Sequence, residues 1–395
     1  MKILFCNYEY PPLGGGGGVI NAMLAEELAR RHDVTVLTSR GMDMPAERTE
    51  NGVHVVRVPV FFRKRQTSAN MLSMFAYLPM GMQEGKRLLG QGGFDVINTH
   101  FVLPTGPVGH SLARLYRIPN VLSVHGGDLY DPSKWMSPHR HVLLRAWVRR
   151  LLGEADRVVG QSRNTIENIA RYYTGEVQAK RIPLGIRRPQ RLAGNRSDYG
   201  FRDDDILLVT VGRLVARKAV DQLLMLIKDL RAERTHLVVI GSGRQDSALR
   251  DMARDLQIAG NVHFLGQTDE DEKFRLLQMA DIYVSTSQHE GFGLVFLEAM
   301  ACGLPVVCYN HGGQTDFLEN GVTGGMVKLN DLSAFRECCL KLINDAAHRS
   351  RVSLNNLKRV EDYFIDNCAA RYEELFADVV ECHRQASGVT SVGRI

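Results

Sequence analysis

The sequence predicts an α/β fold made of two doubly wound domains. Three observations carry that expectation. The chain has 395 residues, enough to bury two cores. Short apolar runs alternate with helical patterns along it. A polar break containing Pro189, Gly194 and Asn195 divides it into halves of similar size. Hydrophobic residues at 44% and charged residues at 24% are the balance of an ordinary globular protein.

The first run, Lys2 to Asn7, reads as a buried strand and leads through Tyr8 to Leu13 into five glycines, Gly14 to Gly18. A helical pattern with Ala22, Met23, Leu24 and Leu28 follows, then a strand from Val34 to Thr38. This order opens a doubly wound domain and puts the glycines outside the strands' carboxyl ends, where such sheets bind ligands. A dinucleotide fingerprint fails on inspection. G-x-G-x-x-G started at Gly14 puts Val19 in the third glycine's place, and started at Gly15 it puts Ile20 there. The second strand also ends Thr38-Ser39-Arg40, without a ribose-binding acid.

Further strands are expected over 53–58, 95–99, 120–124 and 156–160. Two of them end in histidine. His125 stands in Ser123-Val124-His125-Gly126-Gly127-Asp128, where the glycines allow a ligand close to the backbone; His100 is a second, weaker candidate. The stretch from Arg181 onward reads as a linker, which sets domain limits at 1–184 and 185–368.

The second half opens with a strand, Ile206 to Val211, that runs into Gly212-Arg213 and then Arg217-Lys218. Arg213 and Lys218 at a strand's carboxyl end can hold a diphosphate and stabilise the charge that grows on it as a leaving group. Arg217 receives no part. Strands are expected at 236–240 and 262–266, and then comes the densest stretch of the chain, His289 to Val307. After an extended run from Asp281 to Ser287, the chain turns and enters a helix near Leu294, with Glu290 in the turn and Glu298 on the helix. Gly291 and Gly293 let the backbone approach a ligand, and the helix's amino end can hold an anion. Gly303 and Pro305 stop the helix.

Glutamate, seven residues, glutamate, with Gly291-Phe292-Gly293 behind the first and Ala299-Met300-Ala301-Cys302-Gly303-Leu304-Pro305 behind the second, resembles the signature of the retaining family 4 glycosyltransferases. The resemblance implies the GT-B architecture, two Rossmann-like domains facing each other across a cleft, with a final helix at 369–386 returning to the first domain. It implies a nucleotide diphosphate sugar on the second domain. Glu298 would take the ribose hydroxyls and Glu290 a hydroxyl of the donor sugar. Gly291, Phe292, Gly293 and Leu294 would meet the sugar or phosphate, and Arg213 and Lys218 the diphosphate. The backbone of Phe264, Leu265 and Gly266 would run beside the base. In the first domain, His125 would lie beside the transferred sugar, and the amides of Gly16 and Gly17 near phosphate or acceptor. The family usually has a proline and a glutamate where this chain reads Gln314-Thr315-Asp316, so no contact is assigned there.

The implied reaction moves the sugar to a hydroxyl acceptor, whether lipid, polysaccharide or small metabolite. Transfer occurs on the same face, and the departing phosphate takes the acceptor's proton. No cofactor is implied. The acidic runs Asp203 to Asp205 and Asp269 to Glu272 precede a strand and open a polar helix, which marks them as solvated faces, and no metal is expected. Two rivals share the phosphate logic: a nucleotide-sugar epimerase of the same fold, and a catalytically silent nucleotide-sugar-binding protein. The epimerase lacks the full signature together with Arg213 and Lys218. A silent protein would have lost one of the four charges, and all four are present.

A net charge of +5 suits a polyanionic ligand or an anionic membrane surface. No nucleic-acid partner is expected. Seven cysteines without regular spacing form neither a disulfide framework nor a zinc pattern, which points to a reduced, cytoplasmic setting. The first apolar run is too short for a signal peptide, and no window approaches the ~18 apolar residues of a membrane span. Two stretches read as surfaces for peripheral contact with an anionic bilayer. One is Phe61 to Arg65. The other is His139 to Leu152, with Leu144, Val148 and Leu151 on one helical side and His141, Arg145 and Arg149 on another.

Overall fold

A computed structural model describes residues 1–41, 43–61, 71–132, 134–230 and 234–386. The chain forms two units. One is Met1–Ile186 with the last helix, Ile365–Ala386; the other is Arg187–Phe364.

In the first unit the described strands are β1 (Lys2–Asn7), β2 (Asp33–Arg40), β3 (Glu47–Glu50), β4 (Val53–Pro59), β5 (Val96–His100), β6 (Asn120–Val124), β7 (Arg157–Gly160) and β8 (Ala179–Arg181). They lie side by side as β3-β4-β2-β1-β5-β6-β7-β8. Pairing is parallel apart from the antiparallel β3 and β4. Successive residues of a strand face opposite sides, and β1 shows what each side buries. Ile3 and Phe5 pack with Leu24 and Leu28 of helix Gly16–Ala29 and with Tyr372, Phe376 and Val380 of the last helix. Leu4 and Cys6 pack with Tyr77, Val108 and Leu112 of helices Met71–Gly90 and Gly106–Tyr116. Each large apolar side chain so buried contributes about 1.5–3 kcal/mol, and apolar runs covered on both faces are why these strands read as continuous rather than alternating.

The second unit holds β9 (Ile206–Val211), β10 (Thr235–Ile240), β11 (Val262–Gly266), β12 (Ile282–Ser285), β13 (Val306–Tyr309) and β14 (Gly324–Val327), all parallel, in the order β11-β10-β9-β12-β13-β14. The chain builds outward from β9 through β10 to β11, then returns to lay β12 on the other side of β9. The carboxyl ends of β9 and β12 are therefore neighbours at a topological switch point, the place where open α/β sheets bind ligands. The first unit has the same feature between β1 and β5.

Several expectations are corrected. Ile182, Leu184 and Ile186 are buried, so this segment belongs to the first unit's core instead of a linker; the units divide after Ile186 and again after Phe364. The last helix starts at Ile365, four residues before the expected point. Strand β3 was not anticipated, because Glu47-Arg48-Thr49-Glu50 has no apolar alternation; its pairing with β4 is braced by Glu50 and Arg57, 2.9 Å apart. Helix Val142–Glu154 turns the expected apolar side inward at Val148 and Leu151, while Val142, Leu143 and the preceding Trp135 are 72%, 84% and 73% exposed. Phe62 to Arg65 lie outside the described residues; Phe61 is exposed.

Candidate active site

Strand β9 ends at Val211, and the backbone turns at Gly212 (φ 156°) into a short 3-10 turn, Ala216–Lys218. On the other side of the switch point, β12 leads through Thr286 and Ser287 to His289 and Glu290. Because the two strand ends are adjacent, residues 72 positions apart meet. Lys218 Nζ bonds Glu290 Oε1, and Arg217 Nη1 lies 3.4 Å from Glu290 Oε2. Arg217 also donates to the His289 carbonyl, and the Gln288 N–H donates to the Arg217 carbonyl at 2.8 Å. Burial pushes the Glu290 carboxyl up, but the charges of Lys218 and Arg217 outweigh it and hold the group at about 2. Both carboxylate oxygens are thus engaged by cations. Arg213 lies on the same strand end, exposed and without an ion pair to any described residue.

The turn after Glu290 is closed by a second chain segment. Gly313 N–H donates to the Glu290 carbonyl at 2.8 Å, and a Cβ on Gly313 would fall on the Gly291 carbonyl oxygen. Gly293 takes a left-handed conformation (φ 92°) as the N-cap of helix Leu294–Ala301, with no side chain capping its first amides. The dipole's positive end therefore lies beside Phe292 and Leu294 without a side-chain cap.

Glu298, one helical stretch along, does not share the Lys218 cluster. Its Oε1 lies 2.9 Å from Lys273 Nζ of helix Glu270–Met279, and its Oε2 is shielded from solvent without a hydrogen-bond partner among the described residues. Burial raises the Glu298 carboxyl despite Lys273. The expected base-side segment is the sheet's edge strand β11. There the Phe264 carbonyl accepts from Arg250 Nη2 at 3.2 Å and the Gly266 carbonyl from Gly241 N–H at 2.7 Å, while Leu265 is partly exposed.

In the first unit the five glycines do not form one loop. Gly16 and Gly17 are the first residues of helix Gly16–Ala29, with Gly15 as N-cap. A Cβ on Gly17 would meet the Phe101 ring at 2.7 Å. The Gly15 amide, next to the two glycines expected to approach phosphate or acceptor, donates to Glu9 Oε2 at 3.2 Å, so a carboxylate stands beside that helix start. Phe101, itself left-handed at φ 67°, stacks its ring 4.4 Å from that of His125. Asp128 braces the loop: its two oxygens accept the His125 and Val102 amides at 2.9 and 2.8 Å. His100 is buried beneath His125 and cannot itself reach a ligand.

Sequence reasoning missed Arg217, Lys273 and Glu9. Nothing in their neighbourhoods along the chain marks them, since each gains its partner through strand adjacency, helix packing or a turn. Among the described residues no group of three or more His, Cys, Asp or Glu is arranged to hold a metal.

Two family models match this chain. Residues 15–185 match the glycosyl transferase 4-like domain and residues 194–359 the glycosyl transferases group 1. The chain is 31% identical to an uncharacterized glycosyltransferase of Methanocaldococcus jannaschii over 96% of its own length and 99% of the relative's. Among solved structures, sucrose-phosphate synthase from Thermosynechococcus elongatus superposes with a TM-score of 0.84 at 22% identity, over 97% of this chain and 100% of that one. HepE of Anabaena, solved in complex with UDP-glucose, gives 0.74 at 19% identity, over 96% and 100%. These likenesses establish the GT-B type of fold, with a Rossmann-like parallel sheet in each unit. The chain belongs to the group 1, family 4 glycosyl transferases, and the protein is a glycosyltransferase.

Proposed function

We propose that the protein moves a sugar from a nucleoside diphosphate sugar to a hydroxyl of its acceptor, with retention at the anomeric carbon and without a metal ion. The observation that carries this reading is the meeting of Lys218, Arg217 and Glu290 at the β9/β12 switch point, beside a helix start that no side chain caps. The nucleotide-sugar complex of HepE supports the donor class.

On this reading Glu290 positions a donor hydroxyl and does not attack. A carboxylate with both oxygens on cations, held at about 2, is a poor nucleophile. The acceptor oxygen forms the new bond to the anomeric carbon as the bond to the leaving phosphate breaks on the same face, and the phosphate takes the hydroxyl proton. When the donor enters, Lys218 exchanges Glu290 for a phosphate oxygen, Arg213 adds a second cation, and Arg217 keeps the carboxylate in place. These charges and the helix amides serve the role that a metal has in other transferases. Glu298 takes the ribose through Oε2, which has no hydrogen-bond partner among the described residues. Glu9 at the glycine turn favours a hydroxyl-bearing acceptor over an anion there, since a second negative group would face its carboxylate.

A bilayer contact belongs to the same proposal. Trp135, Val142 and Leu143 are exposed beside the exposed Arg145 and Arg149, the composition of a surface that rests on anionic lipid and meets a lipid-linked acceptor. Among the described residues no helix is long and apolar enough to cross a membrane.

The test is to incubate the protein with UDP-, GDP- and ADP-sugars and measure release of nucleoside diphosphate, alongside the melting temperature with each free diphosphate. One diphosphate should stabilise the fold, and its sugar conjugate should be consumed. If none of the three raises the melting temperature or is released, the reading is wrong.

A further inference from the structure

Beneath His125 lies a line of hydrogen bonds that decides what this ring can do. Tyr372 Oη, from the last helix, is 3.0 Å from Ser123 Oγ. Ser123 Oγ is 3.0 Å from Asn98 Oδ1, Asn98 Nδ2 is 2.8 Å from His100 Nε2, and His100 Nδ1 is 3.1 Å from His125 Nε2. Tyr372, Ser123, Asn98 and His100 are all buried. The four come from the last helix, β6 and β5, so only the folded first unit assembles them.

The direction of the line follows from donor and acceptor counting. Among the described residues the Tyr372 hydroxyl has Ser123 Oγ as its partner, so the phenol proton goes there; leaving it unplaced in the core would cost about 1–3 kcal/mol. Ser123 must then give its own proton to Asn98, which presents Oδ1 to it and turns Nδ2 toward His100. An amide nitrogen only donates, so His100 Nε2 accepts and His100 carries its proton on Nδ1. That proton points to His125 Nε2, and His125 in turn carries its proton on Nδ1. This last nitrogen is shielded from solvent and makes no hydrogen bond of normal geometry among the described residues; the Gln161 side chain, tied by Nε2 to the His125 carbonyl and with its Oε1 also unpaired, is the group that faces the ring and favours a proton on it.

We propose that Tyr372, Ser123, Asn98 and His100 are positioning residues that fix His125 as the Nδ1–H tautomer, a hydrogen-bond donor to an oxygen of the sugar or its acceptor and not a base. Burial supports this by keeping both rings neutral at pH 7, with one proton each to place: it holds His100 well below the usual histidine range and brings His125 down to about 4. The opposite amide orientation at Asn98 would leave either the phenol or the serine proton unpaired in the core and make His125 Nδ1 a bare acceptor. The left-handed Phe101, whose N–H donates to the Ser123 carbonyl at 3.0 Å, packs its ring on His125 and fixes the ring plane that the line orients. The partner of His125 Nδ1–H as a substrate oxygen rests on the function proposed above; the tautomer does not.

Nitrogen NMR of the histidine side chains in the intact protein reads the tautomer directly, with His100→Gln and His125→Gln used to assign the two rings. The expected result is a protonated, pyrrole-type Nδ1 in both at pH 7. Ser123→Ala removes the donor that orients Asn98 and should bring up a second His125 form with a pyridine-type Nδ1; Tyr372→Phe, which deletes one buried hydroxyl, gives the same reading should the serine variant fold poorly. A pyridine-type His125 Nδ1 in the unaltered protein overturns the donor assignment, and variants that leave the His125 signals unmoved overturn the line. A protein with the expected tautomer that releases no nucleoside diphosphate would keep the line and refute the transferase chemistry.

Discussion

Lys273 and Glu298 form a buried ion pair, Nζ to Oε1 at 2.9 Å, between two helices of the second unit, and the other Glu298 oxygen has no hydrogen-bond partner among the described residues. Glu270 shares the same ammonium at 2.9 Å from a far more exposed position. Burial pulls the Lys273 ammonium's pKa down, but the two carboxylates outweigh it and keep the group charged. Lys273→Met leaves Glu298 buried and unpaired, which should cost roughly 3 kcal/mol in urea unfolding and weaken nucleoside diphosphate binding. Lys273→Met with Glu298→Leu should recover most of the stability and none of the binding. Equal stability of the two variants would show that the pair is not what holds this helix contact.

Lys218→Ala should lower turnover by at least about a hundredfold while the protein stays folded, because in the proposed reaction it removes the cation that meets charge on the leaving phosphate. Arg217→Met should cost about tenfold, acting through the looser Glu290 and the lost bond to the His289 carbonyl. Steady-state rates with the donor found by thermal shift check both. A folded Lys218→Ala enzyme with unchanged turnover would remove Lys218 from the site.

The acid limb of stability should carry Glu290. Its carboxyl falls from an ordinary value of 4.5 to about 2 in the fold, so its contribution, roughly 3 kcal/mol, is present above pH 4.5 and is lost as pH drops toward 2. Urea unfolding of the wild type and of Glu290→Gln between pH 6 and 2 should show a difference that shrinks across that window. A difference independent of pH would mean that the carboxylate charge is not the source.

Gly313→Ala tests the turn. Its Cβ has no room against the Gly291 carbonyl, so the Glu290 to Gly293 backbone must shift. The variant should lose about 2 kcal/mol and the melting shift given by the nucleoside diphosphate. A variant that keeps the shift would show that this turn has slack.

Leu143→Ser with Trp135→Ser should abolish flotation with vesicles containing anionic lipid while leaving turnover on a soluble acceptor unchanged. Binding that survives, or that is equal on neutral vesicles, would assign the exposed apolar residues to some other purpose.

Most strands, the glycine-led helix and the Glu290 to Glu298 motif were legible because local patterns dictate them: buried apolar runs, and a helix bounded by Gly293 and Gly303; β3, β8 and β14 carry no such run and were not. The linker reading failed because Ile182, Leu184 and Ile186 alternate with Pro183 and Gly185, which read as loop residues; only the surrounding core shows the three apolar side chains to be inward-facing. The glycine run misled in the same way, since five glycines look like one loop until Gly16 and Gly17 enter a helix packed against Phe101.

By itself the sequence determined the chemistry available, two cations after one strand and two acids around one helix start, because these lie within a few residues of each other and of the glycines that expose them. The tertiary structure decided the partnerships. Lys218 and Arg217 hold Glu290 because β12 returns beside β9, and Lys273 reaches Glu298 because two helices pack side by side. The His125 proton is set by a tyrosine 247 positions away along the chain (372 − 125). Pairings of that kind depend on strand order and core packing, which arise from the whole chain's burial of apolar surface and leave no mark on the residues next to them.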